Sequence, residues 1–577
     1  MLAEPSKSGR LTACAPLALA VLTAALLQAI HVARAPTISA DGITFIAIAR
    51  ELPDGPAETF RRHDQHPGYP ALLLAATRVV QALGYDANPQ SWTVGGIVVS
   101  YLCGLATVGA VWLLVRELFD VRLANIAAFI FAVLPIPCWS AGDAHSDTPH
   151  LLAYLMAAWL ASRGVVSGRL LPLAGAGAAS ATAYWIRPEG LEVFLVTLVC
   201  VVWQAVRMHW TWRRMSLACA TLAGTTLVIA APYPILAGKL TSKQLPFAKS
   251  QPTNTFLDLE ASQGVARTNT TQAPVVAGEA KPQAVAPIEV PPTATAQAVS
   301  NAVAPEPASA PELAETTSAK PRYTAKLVLR LLGKAFESFI ISICQGFKFV
   351  FVPLYLIGQV AWCRRKPQGV HMALLGLLAT THFVVLMAVF MLSGYIAHRH
   401  VLPLVGLGMA ATALGVLCVG EFAARRLKAP SGYVVPSLLA VCCVAVLPYT
   451  LRAVNREFLP VLAATEWVQS RAEPGTGIIC NSPYVEFYGK LPVAYLSPES
   501  PTFAEALAKA DADAQYDYVV LHVNAHDYRP EWLTQLAPRY RQVRMFPDPY
   551  SIERPKWVLV FEAKEGHVRR PARDKHS

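Results

Sequence analysis

Long apolar blocks alternate with short polar segments along most of the 577-residue chain. Each block could cross a bilayer as an α-helix, which takes about 20 residues. The pattern predicts a polytopic α-helical membrane protein with about 11 spans. The predicted spans are Leu11 to Val32, Trp92 to Val115, Leu123 to Trp139, Thr148 to Ala161, Leu170 to Ile186, Leu191 to Val206, Leu217 to Leu236, Phe339 to Trp362, Val370 to Leu392, Val401 to Gly420 and Val434 to Pro448.

Basic residues gather on every second connection between these blocks, which predicts the orientation by the positive-inside rule. The basic groups are Arg116 with Arg122, Arg163 with Arg169, Arg207 with Arg213 and Arg214, Arg364 with Arg365 and Lys366, and Arg425 with Arg426 and Lys428. We therefore expect a cell (inner) membrane protein with a cytoplasmic N-terminus and an extracytoplasmic C-terminal tail. Ala33-Arg34-Ala35 resembles a signal-peptidase site, but the preceding block is longer than a signal-peptide core, which favours a retained membrane anchor.

Composition agrees with this class of protein. Hydrophobic residues make up 54% of the chain and charged residues only 15%, with a mean hydropathy of +0.38, which excludes an ordinary cytosolic enzyme. The net charge of +11 sits largely at block ends, so we predict no nucleic-acid partner. Most of the 11 cysteines lie in or beside apolar blocks and no C-x-x-C pair occurs, which argues against a disulfide scaffold or a Cys-rich zinc site.

Six regions are predicted from these patterns. They are a first transmembrane anchor (1–33), an extracytoplasmic catalytic loop with juxtamembrane helices (34–91), a transmembrane bundle (92–238), an extracytoplasmic loop (239–334), a second part of the bundle (335–450) and an extracytoplasmic α/β domain with a flexible end (451–577). The fourth region is rich in Ala, Pro, Thr, Gln and Val from about 251 to 321, which predicts disorder there.

The tail alternates strand-like and helix-like stretches, which predicts a parallel or mixed sheet covered by helices. The predicted strands are Gly477 to Cys480, Pro492 to Leu496, Tyr516 to Val523 and Trp557 to Phe561, and the predicted helices are Val461 to Arg471, Thr502 to Ala510 and Pro530 to Leu536. Asp511-Ala512-Asp513 matches a D-x-D metal motif, but its place at a helix end favours a solvated helix terminus.

Polar residues beside the membrane are the candidates for chemistry, because ionisable groups there are costly and are usually retained for function. Asp41 follows the first span and precedes an amphipathic stretch, Ile43 to Leu52. Its carboxylate could cap a helix or act as the general base for an acceptor hydroxyl.

Two further groups lie at the same predicted membrane face. Asp143, His145 and Asp147 could bind a metal or position a substrate, or Asp147 could cap the helix beginning at Thr148. The last group consists of Arg187, Glu189, His398, Arg399 and His400, whose arginines suit recognition of a phosphate but are also typical of interfacial anchoring.

The order of these motifs resembles that of the GT-C membrane glycosyltransferases, and within them the protein O-mannosyltransferase and lipid A aminoarabinose transferase superfamily. The resemblance covers roughly residues 10 to 450. It rests on Asp41-Gly42, the His66-Pro67-Gly68-Tyr69-Pro70 element, Asp143 with Ser146-Asp147, the turn Arg187-Pro188-Glu189-Gly190, and Arg399 shortly before Leu402-Pro403.

The resemblance implies transfer of a sugar from a polyprenyl-phosphate donor to a protein, lipid or glycan hydroxyl, with inversion. Asp41 would be the catalytic base, His66 would contact the lipid phosphate, and Arg399 would help neutralise the leaving group. Asp143 or Asp147 would be the second acidic residue, with Tyr69, Arg187, Glu189 and His398 also binding substrate. Relatives commonly have Asp-Glu where this chain has Asp41-Gly42, and the sequence shows no metal ligand beside Asp41, so a divalent metal remains an open alternative.

Two other functions are compatible with a polytopic chain that contains intramembrane charges. A secondary transporter would use them along its substrate path, although the sequence shows no internal repeat and no matched pair of broken helices. A membrane polysaccharide polymerase or ligase would use the same class of donor, although the large late loop rich in Arg and His expected of it is missing.

Overall fold

The computed structural model describes residues 7–241, 325–364, 369–473, 476–489, 491–495, 516–524, 536–549 and 556–564. The low-complexity segment from 251 to 321, the D-x-D sequence at 511–513, the predicted helix at 502–510 and nearly all of that at 530–536 lie outside these residues. The predictions made for them are therefore untested.

All regular secondary structure in the described chain before residue 241 is helical. They are α1 (Lys7–Arg34), α2 (Ala40–Glu51), α3 (Pro56–Arg62), α4 (Gly68–Ala82), α5 (Pro89–Leu118), α6 (Val121–Val133), α7 (Pro135–Ala141), α8 (Asp147–Ser167), α9 (Leu170–Ile186), α10 (Leu191–Arg207), α11 (Trp212–Ala230) and α12 (Pro232–Ala237). A short 3-10 helix, Pro188–Gly190, joins α9 to α10.

Five further helices complete the bundle: α13 (Ala325–Gly346), α14 (Val352–Arg364), α15 (Gly369–Ser393), α16 (Leu402–Leu427) and α17 (Ser431–Thr450). The described residues before 242 and from Leu331 onward belong to one compact unit, which does not include the start of α13 up to Arg330. By length and composition, seven described helices are able to cross a membrane, or eight if a bent pair is counted as one span.

Two predicted spans are interrupted. The block from Leu123 to Trp139 is divided into α6 and α7, which meet at 63° because Pro135 and Pro137 disfavour one continuous helix. The block from Phe339 to Trp362 is divided by a turn at 347–351, where Lys348 and Phe349 adopt positive φ. Continuous hydrophobicity therefore identified apolar segments correctly but did not reveal these bends.

Helix α16 lies at the centre of the bundle. The most apolar window of this helix is 83% buried, compared with 22% for α17, which follows it. A helix that is apolar on all faces is expected in such a position, since every side of it can pack against other helices. The residues just before Leu402 are therefore attached to the best-packed part of the bundle.

The C-terminal part contains α18 (Leu459–Gln469), α19 (Pro483–Tyr488) and a five-stranded sheet. Its strands are β1 (Gly477–Cys480), β2 (Val493–Tyr495), β3 (Tyr516–Asn524), β4 (Tyr540–Pro547) and β5 (Lys556–Ala563), in the order β2-β1-β3-β5-β4. β1 pairs in parallel with β2 and β3, whereas β5 pairs antiparallel with β3 and β4. The predicted fold class, a polytopic helical protein with a small α/β domain, is confirmed, although the sequence did not indicate β4.

The sheet domain shares a hydrophobic core with the helices that follow the first span. Ile46 of α2 and Leu73 of α4 belong to the same buried cluster as Val485 of α19 and Val520 of β3. A hydrogen bond supports this packing, because the Thr37 hydroxyl donates to the Tyr488 hydroxyl over 2.7 Å. The domain therefore holds the segment that leads into α2, which contains Asp41.

Candidate active site

Five charged side chains from distant parts of the sequence form a series of ion pairs. Arg399 Nη2 lies 2.5 Å from Asp41 Oδ2, and Arg399 Nε lies 3.9 Å from Asp147 Oδ2. Arg187 in turn pairs with Asp147 Oδ1, and its Nε lies 3.6 Å from Glu189 Oε2. Negative and positive groups thus alternate from Asp41 to Glu189, which we call the ion-pair series.

The exposed fraction of the side chains falls steeply from Asp41 through Arg399 to Asp147. The Asp41 side chain is 47% exposed, that of Arg399 28%, and that of Asp147 only 4%. Arg399 therefore joins a carboxylate that solvent can reach to one that is buried. A guanidinium at such a position offers several N–H donors in a plane, which suits a carboxylate or a phosphate.

Asp41 is placed in the first turn of α2 by its neighbours on both sides. Ser39 precedes the helix, and its hydroxyl oxygen accepts a hydrogen bond from the Gly42 N–H over 3.3 Å. The backbone N–H of Ser39 itself donates to Asp143 Oδ1 over 3.0 Å. Ser39 is therefore the cap of this helix, which leaves the Asp41 carboxylate to pair with Arg399.

The close approach of two chain segments explains Gly42. A Cβ atom at this position would come within 3.0 Å of both the carbonyl oxygen and the side chain of Ala144. A side chain here would push α2 away from the turn at 142–146, which is otherwise buried. The departure from the Asp-Glu of the resembled family therefore coincides with a position that has no room for a second carboxylate.

Asp147 does not cap α8. The helix begins at Asp147 itself with Ser146 before it, and no side-chain cap hydrogen bond is formed there. The carboxylate instead faces Arg187, Arg399 and the His145 imidazole, whose Nδ1 lies 3.7 Å from Asp147 Oδ2. The alternative in which Asp147 caps this helix is wrong, since two guanidinium groups attract its charge more strongly than backbone N–H groups do.

Asp143 connects the segment before α2 with the segment after α17. Its oxygens accept hydrogen bonds from the Ser39 N–H and from Asn455 Nδ2, the latter over 3.1 Å. His145 Nε2 lies 3.5 Å from Asp143 Oδ2, so that this imidazole stands between the two carboxylates. Within the described part of the chain, no three His, Cys, Asp or Glu side chains are grouped so as to hold a metal ion.

Arg187 and Glu189 lie at the junction of α9 and α10. Burial alone would lower the pKa of the Arg187 guanidinium, but the charges of Asp147 and Glu189 outweigh this effect and raise the pKa. The element around Gly68 packs on the end of α9, because a Cβ at Gly68 would lie 2.6 Å from the Trp185 carbonyl group. The His66 to Pro70 element thereby helps to place Arg187.

His66 and Tyr69 are both buried. His66 Nδ1 lies 2.8 Å from the Tyr184 carbonyl oxygen, and its ring packs on Tyr184 and Tyr233. Tyr69 is fully buried, with its hydroxyl directed at the Gly96 carbonyl over 3.3 Å and its ring against Phe45. These contacts do not include Asp41 or Arg399, so contact of His66 with a lipid phosphate and contact of Tyr69 with substrate both stay predictions.

A small cavity lies behind Arg399. It holds about 20 Å³, room for roughly one water molecule, and Asp147, His150, Arg187, Arg399 and His400 are among its lining residues. His398 lies nearby on the exposed side of the same loop, with its ring edge-on to Trp139 at 6.5 Å. Burial, with Arg187 the next cause, lowers the pKa of His400 to about 3, so this imidazole is neutral at physiological pH.

Sequence reasoning missed a second buried ion pair. His382 Nδ1 lies 2.9 Å from Glu192 Oε2, which also accepts a hydrogen bond from the Tyr154 hydroxyl over 3.2 Å. His382 Nε2 lies 3.0 Å from the carbonyl oxygen of His400, the residue after Arg399. Because Glu192 and His382 are isolated ionisable residues within apolar blocks, this signal alone could have identified them.

Comparisons with known proteins agree with this architecture. A family model described as "Dolichyl-phosphate-mannose-protein mannosyltransferase" matches residues 70–235, a range that contains Asp143, Asp147, Arg187 and Glu189. A curated relative, "Putative mannosyltransferase YkcB" of Bacillus subtilis (strain 168), is 21% identical over 170 residues. That match covers 30% of this chain and spans only 23% of the relative's length.

Similarity to solved structures extends over nearly the whole chain. ArnT of Cupriavidus metallidurans bound to undecaprenyl phosphate is similar with a TM-score of 0.53 and 14% identity, covering 96% of this chain and 98% of that one. The apo oligosaccharyltransferase of Archaeoglobus fulgidus is similar with a TM-score of 0.50 and 12% identity, covering 87% of this chain and 69% of that one. The resemblance inferred from the motifs is confirmed: the chain is a multi-pass membrane protein with the fold of the GT-C glycosyltransferases.

Proposed function

We propose that this protein transfers a sugar from a polyprenyl-phosphate donor to an acceptor hydroxyl at the extracytoplasmic membrane face, with inversion at the anomeric carbon. The proposal extends beyond the superfamily in its donor, its stereochemistry and its membrane side. The acceptor class, protein, lipid or glycan, is left to experiment. The assay described below also decides whether the transferred sugar is a hexosyl or a pentosyl group.

The placement of Arg399 is the observation on which the proposal depends. Its guanidinium pairs with the exposed Asp41 on one side and approaches the buried Asp147 on the other. Asp147 is also paired with Arg187, so the second contact fixes Arg399 without neutralising it fully. An anionic donor phosphate reaching this point would find a cation that is already oriented, which lowers the cost of reorganisation during the reaction.

Binding of the donor would release Asp41 from its ion pair. In the structure Arg399 Nη2 lies 2.5 Å from Asp41 Oδ2, so this carboxylate oxygen is already occupied by a guanidinium. A phosphate that takes over the Arg399 donors leaves Asp41 to accept a proton. The exchange of partners would couple the arrival of the donor to activation of the acceptor.

The transfer step then follows with balanced charge. Asp41 takes the proton from the acceptor hydroxyl while the acceptor oxygen forms a bond to the anomeric carbon. The bond between that carbon and the donor phosphate oxygen breaks, and the electron pair leaves on the polyprenyl phosphate. Arg399 stabilises the negative charge that develops on this leaving group, with Arg187 contributing through Asp147.

The proposed donor also suits a site at a membrane surface. Asp41 follows a candidate span that ends at Arg34, and Arg399 precedes one that begins at Leu402. A polyprenyl chain is too apolar for water, so it would lie in the bilayer while its phosphate reached the helix ends. The undecaprenyl phosphate named with the ArnT structure is a polyprenyl phosphate, the lipid part of such a donor.

A transfer assay tests the proposed function. Membranes that contain the protein are supplied with radiolabelled polyprenyl-phosphate sugars of the hexose and pentose types, and label is sought in protein, lipid and glycan fractions. We expect label to move into one fraction only when the protein is present. Absence of transfer from both donor types, together with counterflow of a free solute in liposomes, would contradict the proposal and indicate a transporter.

A further inference from the structure

A basic cavity lies where the bundle meets the sheet domain, apart from the ion-pair series. Its volume is about 460 Å³. Arg34 at the end of α1, the segment from 451 to 457, and the base of the β4–β5 hairpin surround it. Its charged lining residues are Arg34, Arg452, Arg456, Lys556, Glu457 and Asp548.

The depth of the cavity relative to the membrane follows from two helices. Arg34 is the last residue of the first candidate span, and Leu451 directly follows the last one, Ser431–Thr450. The two ends are joined, because Arg34 Nη1 donates a hydrogen bond to the Leu451 carbonyl over 2.9 Å. The floor of the cavity is therefore at the level where lipid headgroups meet water.

The charge of the lining favours an anion. Four basic and two acidic side chains face one space, so positive charges exceed negative ones by two, whichever pairs they form. These cations come from the end of α1, the connection after α17 and the start of β5, rather than from one polar helix face. The positive-inside rule disfavours basic clusters at the predicted outer surface, which makes simple anchoring a poor explanation.

We propose that this cavity binds the phosphate group of an anionic lipid headgroup at the outer membrane surface. Arginine and lysine side chains supply charge-assisted N–H donors to phosphate oxygens, and the neighbouring span ends leave the acyl chains in the bilayer. The sheet domain closes the cavity from above through Lys556 and Asp548, between which the Asp548 N–H donates to the Lys556 carbonyl over 2.9 Å. This inference does not depend on sugar transfer.

The cavity is linked to the segment that positions Asp41. Asn455 lies between Arg452 and Arg456, and its side-chain Nδ2 donates to Thr37 O over 2.9 Å and to Asp143 Oδ2 over 3.1 Å. A bound headgroup would thus order the connection that contacts both segments beside α2. The lipid would act on the position of these groups and not as a reactant.

The test measures lipid binding to the full-length protein. Purified protein is exposed to phosphatidylglycerol or to phosphatidylcholine with the same acyl chains, and bound lipids are counted by native mass spectrometry. We expect phosphatidylglycerol to be retained at least about tenfold more strongly. The variant Arg452→Glu/Lys556→Glu should lose most of this preference, since each juxtamembrane charge contributes roughly fivefold.

Matched variants separate a site from general charge. Arg471→Glu/Arg541→Glu changes the net charge equally at two exposed positions of the sheet domain outside the cavity, and it should keep the preference. Arg452→Lys/Lys556→Arg should also keep it, and each variant is required to unfold thermally at the wild-type temperature. Equal retention of phosphatidylglycerol by the wild type and by Arg452→Glu/Lys556→Glu would overturn the proposal.

A competition experiment distinguishes the two sources of phosphate. Inorganic phosphate at 10 mM, about the concentration at which a weak phosphate site fills, is added to the lipid-bound protein. We expect the lipid to stay bound, because its headgroup and its acyl chains are parts of one molecule and both contact the protein. Displacement of the lipid at this concentration would assign the cavity to a soluble anion and would overturn the lipid proposal.

Discussion

The ion-pair series has an exposed end at Asp41 and a buried end formed by Asp147, Arg187 and Glu189, and the charges at the two ends can do different things. Asp41 is exposed and is held by one guanidinium, whereas Asp147 is buried and is held by Arg187, Arg399 and His145. An exposed pair can exchange partners with little loss, because water replaces what is removed. A buried pair cannot, because removal of one partner leaves an uncompensated charge. The comparison suggests that chemistry belongs to the exposed end and positioning to the buried end.

The largest effect is expected for Asp41→Asn. The amide cannot take a proton from the acceptor, so sugar transfer should fall by about 10³-fold, within the range of general-base catalysis. The free energy of unfolding should change by less than about 1 kcal/mol, because the lost pair is exposed. Transfer rates and thermal unfolding of the purified protein measure the two quantities.

Asp54→Asn is the matched control, since Asp54 is an exposed carboxylate of the same outer loop. It should leave both quantities unchanged. Full activity of Asp41→Asn would remove the base assignment and with it the proposed role of the exposed end.

The second effect is expected at the buried end. Asp147→Asn leaves Arg187 buried with only part of its compensating charge, and the free energy of unfolding should fall by about 3 kcal/mol. Asp120→Ala is the control, because Asp120 caps α6 through a 2.9 Å hydrogen bond from the Leu123 N–H. Loss of a cap costs about 1 kcal/mol. If both substitutions cost the same, Asp147 contributes no more than a cap and the contrast between the two ends fails.

A smaller effect is expected for the Glu192–His382 pair. His382→Leu should lower the free energy of unfolding by about 2 kcal/mol, because the Glu192 carboxylate keeps Tyr154 but loses the imidazole. His371→Leu on the same helix removes only a contact with the Ser162 hydroxyl and should cost about 1 kcal/mol. A double-mutant cycle with Glu192→Gln gives the coupling, and a coupling near zero would show that the pair does not stabilise the loop before α16.

The smallest effect is a pH dependence from His400. Its pKa in the folded protein is lowered to about 3 from 6.5, so acidification protonates this imidazole first in the unfolded state. Stability is therefore fully present above about pH 6.5 and decreases as the pH falls toward 3. Between pH 7 and pH 5 the loss should be on the order of 1 kcal/mol after solvent screening.

His400→Asn removes the titrating group, so thermal unfolding of this variant should change less between pH 7 and pH 5 than that of the wild type. An identical pH dependence in both proteins would mean that other groups account for the acid sensitivity. The neutral state of His400 beside Arg187 and Arg399 would then need another measurement, such as its imidazole chemical shift.

The sequence predicted the helices well because continuous apolar blocks have one main explanation in a bilayer. It also identified Asp41, Asp147, Arg187 and Arg399, since charged residues at span ends are rare and conspicuous. The family resemblance placed Asp41, His66 and Arg399 in one site, and the structure does bring Asp41 and Arg399 together. Residue patterns alone could not have paired these two side chains, because pairing across so much chain depends on how helices pack. The contacts of the His66 ring with Tyr184 and Tyr233 depend on packing in the same way, and its contact with a lipid phosphate stays a prediction.

The C-terminal domain was also predictable from the sequence only in part. Four strands were visible as apolar or aromatic runs. In β4, by contrast, the buried Tyr540 is followed by the exposed Arg541 and Gln542, and polar residues interrupt the apolar ones. An edge strand of this kind takes its conformation from its partner β5 rather than from its own composition. The domain's contact with the Asp41 segment, through Tyr488 and Thr37, was also beyond sequence reasoning.

Arg399 precedes the most protected helix of the bundle and is encoded in the last third of the chain. During synthesis, Asp41, Asp147 and Arg187 emerge from the ribosome long before the guanidinium that joins them. The early carboxylates must therefore enter or border the membrane without their final partner. Chains that stop before Arg399 would leave Asp41 without its guanidinium partner, and an unpaired carboxylate beside the membrane is a chemical sign of incomplete assembly.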